Sequence, residues 1–257
     1  LDVYRFDDAA KAIYEFLWNA YCDWYLEIAK VRLNGEDVAE REKVQNILVA
    51  VLDGTLRMLH PFAPFISEEL WQQLPRRDGE EALIVSAWPT ADESRLDEEA
   101  EAEMSLVQDA IGAVRNIRGM MSVPPSKRAD VFLKVEDEAR EQVLDRGRAY
   151  VQQLARVERL EIGRDVSRPS ASGSQVLPGL EVYVPLEGLI DLGVERQRLE
   201  KEMDRLEKAL GGLDKKLKNE GFLKNAPAEV VENEKRRETE YKETLEKVKG
   251  NLAALSS

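Results

Sequence analysis

Two clusters of cations near the C-terminus are the side chains best suited to chemistry. Lys215, Lys216, Lys218 and Lys224 surround Gly221, and Lys235, Arg236 and Arg237 follow shortly after. Cations grouped in this way hold phosphate oxygens and displace condensed counterions, so such binding weakens as salt rises. The plainer alternative is a solvated helix flank in which each lysine faces a glutamate. Phe222 and Leu223 lie at the turn, within the first cluster. They either pack at the base of a hairpin or offer a flat apolar surface to a base pair. A third group is the aromatic run Tyr14, Phe16, Trp18, Tyr21, Trp24 and Tyr25. Phe16, Trp18 and Tyr25 fall outside the apolar stripe of their helix. Packing on a neighbouring helix is the commoner role for such rings; stacking on unpaired bases is worth about 1–3 kcal/mol each.

Chemistry beyond binding finds little support. His60 is the single histidine, so no histidine-based metal cluster or triad can be assembled. Neither G-x-x-x-x-G-K-[ST] nor G-x-G-x-x-G occurs. The carboxylates fall on polar helix faces beside lysine and arginine, which points to solvated surface rather than acid–base pairs. The lone Cys22 excludes an internal disulfide and a cysteine-rich zinc site, and suits a reducing cytoplasm. No apolar run approaches the roughly 20 residues of a spanning helix. Net charge is −13, and residues 190–257 balance 15 basic against 15 acidic side chains. The excess therefore falls on residues 1–189, and any nucleic-acid contact must be local.

The elements that position these residues are mostly helical. Phe6, Ala9, Ala10, Ile13, Leu17, Ala20, Trp24, Ile28 and Val31 recur at helical spacing, which predicts one helix over the first 30 residues. Asn34-Gly35 turns the chain. A second helix is expected over 38–59, with Val44, Ile47, Leu48, Val51, Leu52, Leu56 and Leu59 inward, stopped at His60-Pro61. Ser67 is expected to cap a third, ending near Leu74. Residues 75–95 read as loop, and a fourth helix spans about 97–121, ended by Val123-Pro124-Pro125. Short connections imply an antiparallel bundle over residues 1–126.

Residues 127–189 read as a small β-α-β-β module. Val131, Leu133 and Val135 alternate with polar neighbours, residues 138–155 return to helical spacing, and Leu160 and Ile162 suggest a strand. A Ser/Gly/Pro-rich loop covers 165–179, before Leu180, Val182, Val184 and Leu186 alternate again. Residues 190–257 carry heptads. Leu192, Leu199, Met203, Leu206, Leu210, Leu213 and Leu217 form one seam with Arg196 in its gap. Val231, Glu234, Glu238, Tyr241, Leu245, Val248, Leu252 and Leu255 form another, opened by Pro227. Two seams about a turn at Gly221 predict an antiparallel coiled-coil hairpin, so the fold class is mainly α. The charged seam residues Arg196, Glu234 and Glu238 disfavour a long zipper with another chain. A coiled-coil protein-interaction module is the competing functional class.

Three blocks carry a resemblance. Residues 16–27 (Phe-Leu-Trp-Asn-Ala-Tyr-Cys-Asp-Trp-Tyr-Leu-Glu), 60–71 (His-Pro-Phe-Ala-Pro-Phe-Ile-Ser-Glu-Glu-Leu-Trp), and Ile117-Arg118 through Val123-Pro124-Pro125-Ser126-Lys127 stand in order. Together they resemble the anticodon-binding bundle of class I aminoacyl-tRNA synthetases for branched aliphatic amino acids. Residues 186–191 (Leu-Glu-Gly-Leu-Ile-Asp), Gly221-Phe222 and residues 226–232 are similar to the C-terminal arm of the valyl branch. The resemblance implies tRNA binding that positions valine tRNA for ATP-dependent aminoacylation by catalytic and editing domains lying elsewhere. The arm would meet the tRNA elbow through Lys215, Lys216, Lys218, Phe222, Lys224, Lys235, Arg236 and Arg237. The bundle would meet the anticodon stem through Trp18, Asn19 and Tyr25. ATP and magnesium are implied for the longer enzyme and no cofactor for this segment. The expected state is a monomer, away from membranes. The H-I-G-H and K-M-S-K-S signatures that hold ATP are absent. A start at Leu1, with Tyr4 already in a helical pattern, is the expectation for part of a longer polypeptide whose bundle opens with an earlier helix.

Overall fold

The computed structural model describes residues 3–75, 82–219, 221 and 227–255. The chain divides into two compact units, Leu1–Glu101 and Ala102–Ser257.

In the first unit a continuous helical run comprises α1 (Phe6–Glu15), a π-helical stretch (Phe16–Tyr25) and α2 (Leu26–Leu33). The Leu26 N–H bonds to the Tyr21 carbonyl, five residues back. The wider π turn changes which face is inward. Tyr21 is buried and its hydroxyl donates to the Leu48 carbonyl at 2.9 Å, whereas Ala20, expected inward, is exposed. Phe6, also expected inward, is 52% exposed. The next helix, α3 (Val38–Leu59), is capped by Asp37, whose carboxylate accepts from the Ala39 and Glu40 N–H groups. Arg32 pairs with Glu40 at one end and Tyr21 meets Leu48 further along, so α3 runs antiparallel to the first helical run. Lys43 first, then Arg32, hold the Glu40 carboxyl down to about 2.

The fourth helix, α4 (Pro64–Gln72), starts on a proline at its first turn. Ser67 is therefore not its cap: it is buried inside the helix and donates back to the Ala63 carbonyl at 2.8 Å. Leu56, Trp71 and Leu83 form a core cluster, with Leu52 and Leu74 against it. The Trp71 indole donates to Asp53 at 2.7 Å, and Asp53 also accepts from Arg57 at 3.0 Å. Ile47, expected inward, is 42% exposed.

Helix α5 (Glu98–Met120) crosses the division, and its C-terminal half belongs to the second unit. There Ala110, Ile111, Val114 and Ile117 are fully buried. Four strands follow in the order β2-β1-β4-β3: β1 (Ala129–Val135), β2 (Val157–Gly163), β3 (Ser172–Leu177) and β4 (Leu180–Pro185). β1 and β2 are parallel, joined through α6 (Glu138–Arg146) and α7 (Arg148–Leu154); the other pairings are antiparallel.

Two features depart from expectation. Residues 138–155 form two helices, broken at Gly147, where a Cβ would lie 2.6 Å from the Val107 side chain on α5. Strand β3 occupies part of the segment expected as loop. Ser172 and Gly173 are both buried, so their small size hides the alternation that marks β1 and β4. β3 joins β4 through Pro178-Gly179, with Gly179 at φ +74°, as a tight turn of this kind requires.

The arm is built from α8 (Leu192–Leu217) and α9 (Ala228–Ala254), 26 and 27 residues long, or about 40 Å each at 1.5 Å per residue. Asp191 caps α8 by accepting from the Gly193 and Val194 N–H groups. Contacts between Lys216 and Glu234, Glu207 and Lys249, and Arg196 and the Leu255 carbonyl run in opposite directions along the two helices. The pairing is antiparallel, as expected. Leu199, Leu206 and Leu213 are buried at seven-residue intervals against Leu245, Val248 and Leu255. Arg196 does not fill the gap in the seam. It is exposed, and Glu195 takes the buried position with Arg198 across its carboxylate at 2.6 and 2.9 Å.

Candidate nucleic-acid interface

The cationic residues of the arm follow from its register. With the leucines of α8 inward, Lys215, Lys216 and Lys218 are left exposed beside the last turn of the helix. Cations there also complement the partial negative charge of a helix C-terminus. On the returning helix, Lys235, Arg236 and Arg237 are consecutive and all exposed. The register places the two groups near each other, because Lys216 reaches across to Glu234 at 2.8 Å.

Their electrostatics differ. Lys216 and Arg237, at 2.8 and 3.8 Å, both approach Glu234, whose carboxyl is held below the usual range chiefly by the Lys216 hydrogen bond. Lys218 bonds to Asp214 at 2.9 Å, which raises its ammonium above the ordinary lysine value. Arg237 donates to the Tyr241 hydroxyl and lies 5.8 Å from that ring's centre, and the hydroxyl contact raises it. Arg236 has the Asn233 side chain at 3.0 Å and Glu240 at 3.8 Å. Lys215 and Lys235 have no carboxylate partner among the described residues. Exposed ion pairs contribute little each, so a phosphate can displace a surface carboxylate at small cost. Phe222 and Lys224 lie outside the described residues.

In the first unit the π-helical stretch carries the aromatic candidates. Trp18 is 55% exposed and stacks on Tyr14, itself 61% exposed, with centroids 6.1 Å apart and planes 5° from parallel. Asn19 beside it is exposed. Tyr25 is half-buried, with its ring stacked on Tyr21. Trp18 and Asn19 thus sit together on open surface, while Tyr25 is engaged in packing. Tyr14, at the end of α1 and before the π-helical stretch, is exposed as well, although it is not among the rings expected outside the apolar stripe. Among the described residues no group of three or more His, Cys, Asp or Glu side chains converges to hold a metal ion. No described helix is long and apolar enough to cross a membrane.

Comparison with known proteins gives these surfaces a context. Residues 1–133 match the family described as the anticodon-binding domain of tRNA ligase, and residues 191–256 match the valyl tRNA synthetase tRNA binding arm. The chain is 43% identical over 252 residues to the valine--tRNA ligase of Geobacillus kaustophilus, covering 98% of this chain and 28% of that protein. It is 40% identical over 254 residues to the Bacillus subtilis valine--tRNA ligase, covering 99% and 29%. The Syntrophotalea carbinolica valine--tRNA ligase is 39% identical over 257 residues. The chain spans under a third of the length of these relatives. It belongs to the valine--tRNA ligase family and corresponds to that family's anticodon-binding region and tRNA-binding arm.

Proposed function

We propose that this chain holds valine tRNA for aminoacylation by catalytic and editing domains of a longer ligase. The helical region of residues 1–126 meets the anticodon stem, with Trp18, Asn19 and Tyr25 as its candidate residues. The module of residues 127–189 carries the arm. The arm of residues 190–257 meets the tRNA elbow through Lys215, Lys216, Lys218, Lys235, Arg236 and Arg237, together with Phe222 and Lys224. The observation that carries this reading is the α8–α9 pair, on which the six described candidate cations named above are all exposed on the outside of a slender rod.

The work done is positioning: binding energy fixes the acceptor end where the reaction occurs elsewhere, replacing an improbable encounter with a prepared geometry. ATP and magnesium belong to the ligase reaction. Among the described residues no group of three or more His, Cys, Asp or Glu side chains is placed to hold magnesium. The chain acts in the cytoplasm as a monomer. Titration with valine tRNA at rising salt tests the reading. Affinity should fall steeply, with a slope near 0.7–0.9 per phosphate contact. Salt-independent binding, or a stable dimer indifferent to tRNA, would contradict it, and the dimer would favour a protein-interaction module.

A further inference from the structure

Outside the arm, three arginines of the second unit share one pocket. The C-terminal half of α5, the turn after it and the junction between α7 and β2 enclose a pocket of about 290 Å³. Arg115, Arg118 and Arg156 line it with Gly119, Val123, Pro125, Leu154 and Ala155, and no carboxylate is among them. In a chain of net charge −13 this is an unusual wall.

Each arginine is placed by the backbone. Arg118 is only 8% exposed, and it donates to the carbonyls of Arg156, Pro124 and Lys127 at 3.4, 3.2 and 2.8 Å. These are neutral acceptors, and its charge has no counter-ion among the described residues. Burial, and then the positive charge of Arg156, push its guanidinium below the ordinary value. Arg115 donates from both Nε and Nη2 to the Leu154 carbonyl. The guanidinium of Arg156 makes no hydrogen bond or ion pair among the described residues. Its backbone sits at φ +55°, a region that favours glycine. A long cationic side chain therefore stands over the pocket at a position where the backbone alone would prefer none.

The pocket is wired to the arm. Arg118 grips the Lys127 carbonyl, and the Lys127 ammonium grips the Gly188 and Leu189 carbonyls at 3.0 and 2.8 Å, just before Asp191 caps α8. We propose that the pocket of Arg115, Arg118 and Arg156 is a phosphate-binding site, and that it takes a backbone phosphate of the RNA held by the arm. The RNA part rests on the function proposed above; the phosphate chemistry does not. Guanidinium groups match phosphate oxygens with paired donors, and a desolvated cation without a counter-ion gains most from an arriving anion.

Arg156→Gly isolates the claim, because glycine accepts φ +55° and so removes the side chain without straining the fold. Its melting temperature should be unchanged or higher. The isotope-labelled 257-residue chain is titrated separately with inorganic phosphate and with valine tRNA, reading the Gly119 amide and the Arg156 side-chain Nε–H signal. Both ligands should move both signals. Arg156→Gly should abolish the phosphate response at Gly119, weaken tRNA about three- to tenfold, and lower the salt slope by about 0.9. Wild-type chain whose signals ignore phosphate and tRNA alike overturns the site. A phosphate response with tRNA affinity and slope unaffected by Arg156→Gly overturns the RNA assignment and makes free phosphate the ligand. If the wild type ignores tRNA altogether, the proposed function fails, and the phosphate titration alone decides the pocket.

Discussion

The sheet module and the arm share one compact unit but are held together differently. In the module, Val131 and Leu133 on β1 and Val182 and Val184 on β4 are fully buried, and α5 adds Ile111, Val114 and Ile117. In the arm, α8 buries a leucine only once every seven residues, at Leu199, Leu206 and Leu213, and Glu234 and Glu238 occupy seam positions on α9. A sheet covered by helices has an interior, and its cohesion is mostly hydrophobic. Two helices side by side have a seam and little else, so most of their side chains must face water. That geometry is poor for stability and good for display: a rod about 40 Å long leaves Lys215, Lys216, Lys218 and Lys235 to Arg237 exposed.

The largest effect should come from the module. Leu133→Ala removes a fully buried side chain from the central strand β1 and should cost about 2–5 kcal/mol, seen as a lower unfolding midpoint for module and arm together. If only the arm loosened, the module would not be its foundation. A smaller effect, of opposite sign, is expected within the arm. Gly211 and Gly212 lie inside α8, and a Cβ at either would meet nothing within 4 Å. Gly211→Ala and Gly212→Ala should each stabilise α8 by about 1 kcal/mol. Amide exchange in the arm should slow while β1 and β4 keep their rates. Equal slowing in both would mean that the two regions open as one.

The gentlest test is pH. Glu234 is held below the usual glutamate range, chiefly by Lys216, so its contribution is fully present above about pH 4.3. It is lost as pH falls through the lowered value. Arm amide protection should decline over that acid range, and Glu234→Gln should flatten the decline. A wild-type arm whose protection holds there would remove the inter-arm ion pair from the account.

The arm was the most legible region in the sequence. Heptad leucines from Leu199 to Leu213 and the seam ending at Leu255 predicted both helices and their pairing, since one face of each had to be apolar. The charged position differs: Glu195 is the buried residue, while Arg196 is exposed and reaches the Leu255 carbonyl of α9 from outside the seam. Helix α3 was equally clear from its apolar spacing and the His60-Pro61 stop. Less visible was anything set by tertiary contact. Strand β3 hides behind Ser172 and Gly173, both buried, and a Cβ on Gly173 would lie 2.5 Å from the Ile117 side chain on α5. Gly147, between α6 and α7, stands where a Cβ would lie 2.6 Å from Val107, a contact that no local pattern reveals. The cations at the arm's tip could be picked out from composition. Arg118 and Arg156 could not be joined as a pair, since 38 residues separate them and a turn of backbone brings them together.

The most direct test of the account is tRNA binding by the chain carrying Lys215→Gln, Lys216→Gln and Lys218→Gln, measured for valine tRNA and for the same tRNA with an exchanged anticodon. Glutamine removes charge without setting a new carboxylate against Glu234, so the arm stays paired. Affinity should fall for both RNAs alike, and the salt slope should drop by up to about 0.9 for each phosphate no longer held. Weakening confined to the native anticodon, or unchanged affinity for both RNAs, would contradict an arm that grips the tRNA elbow.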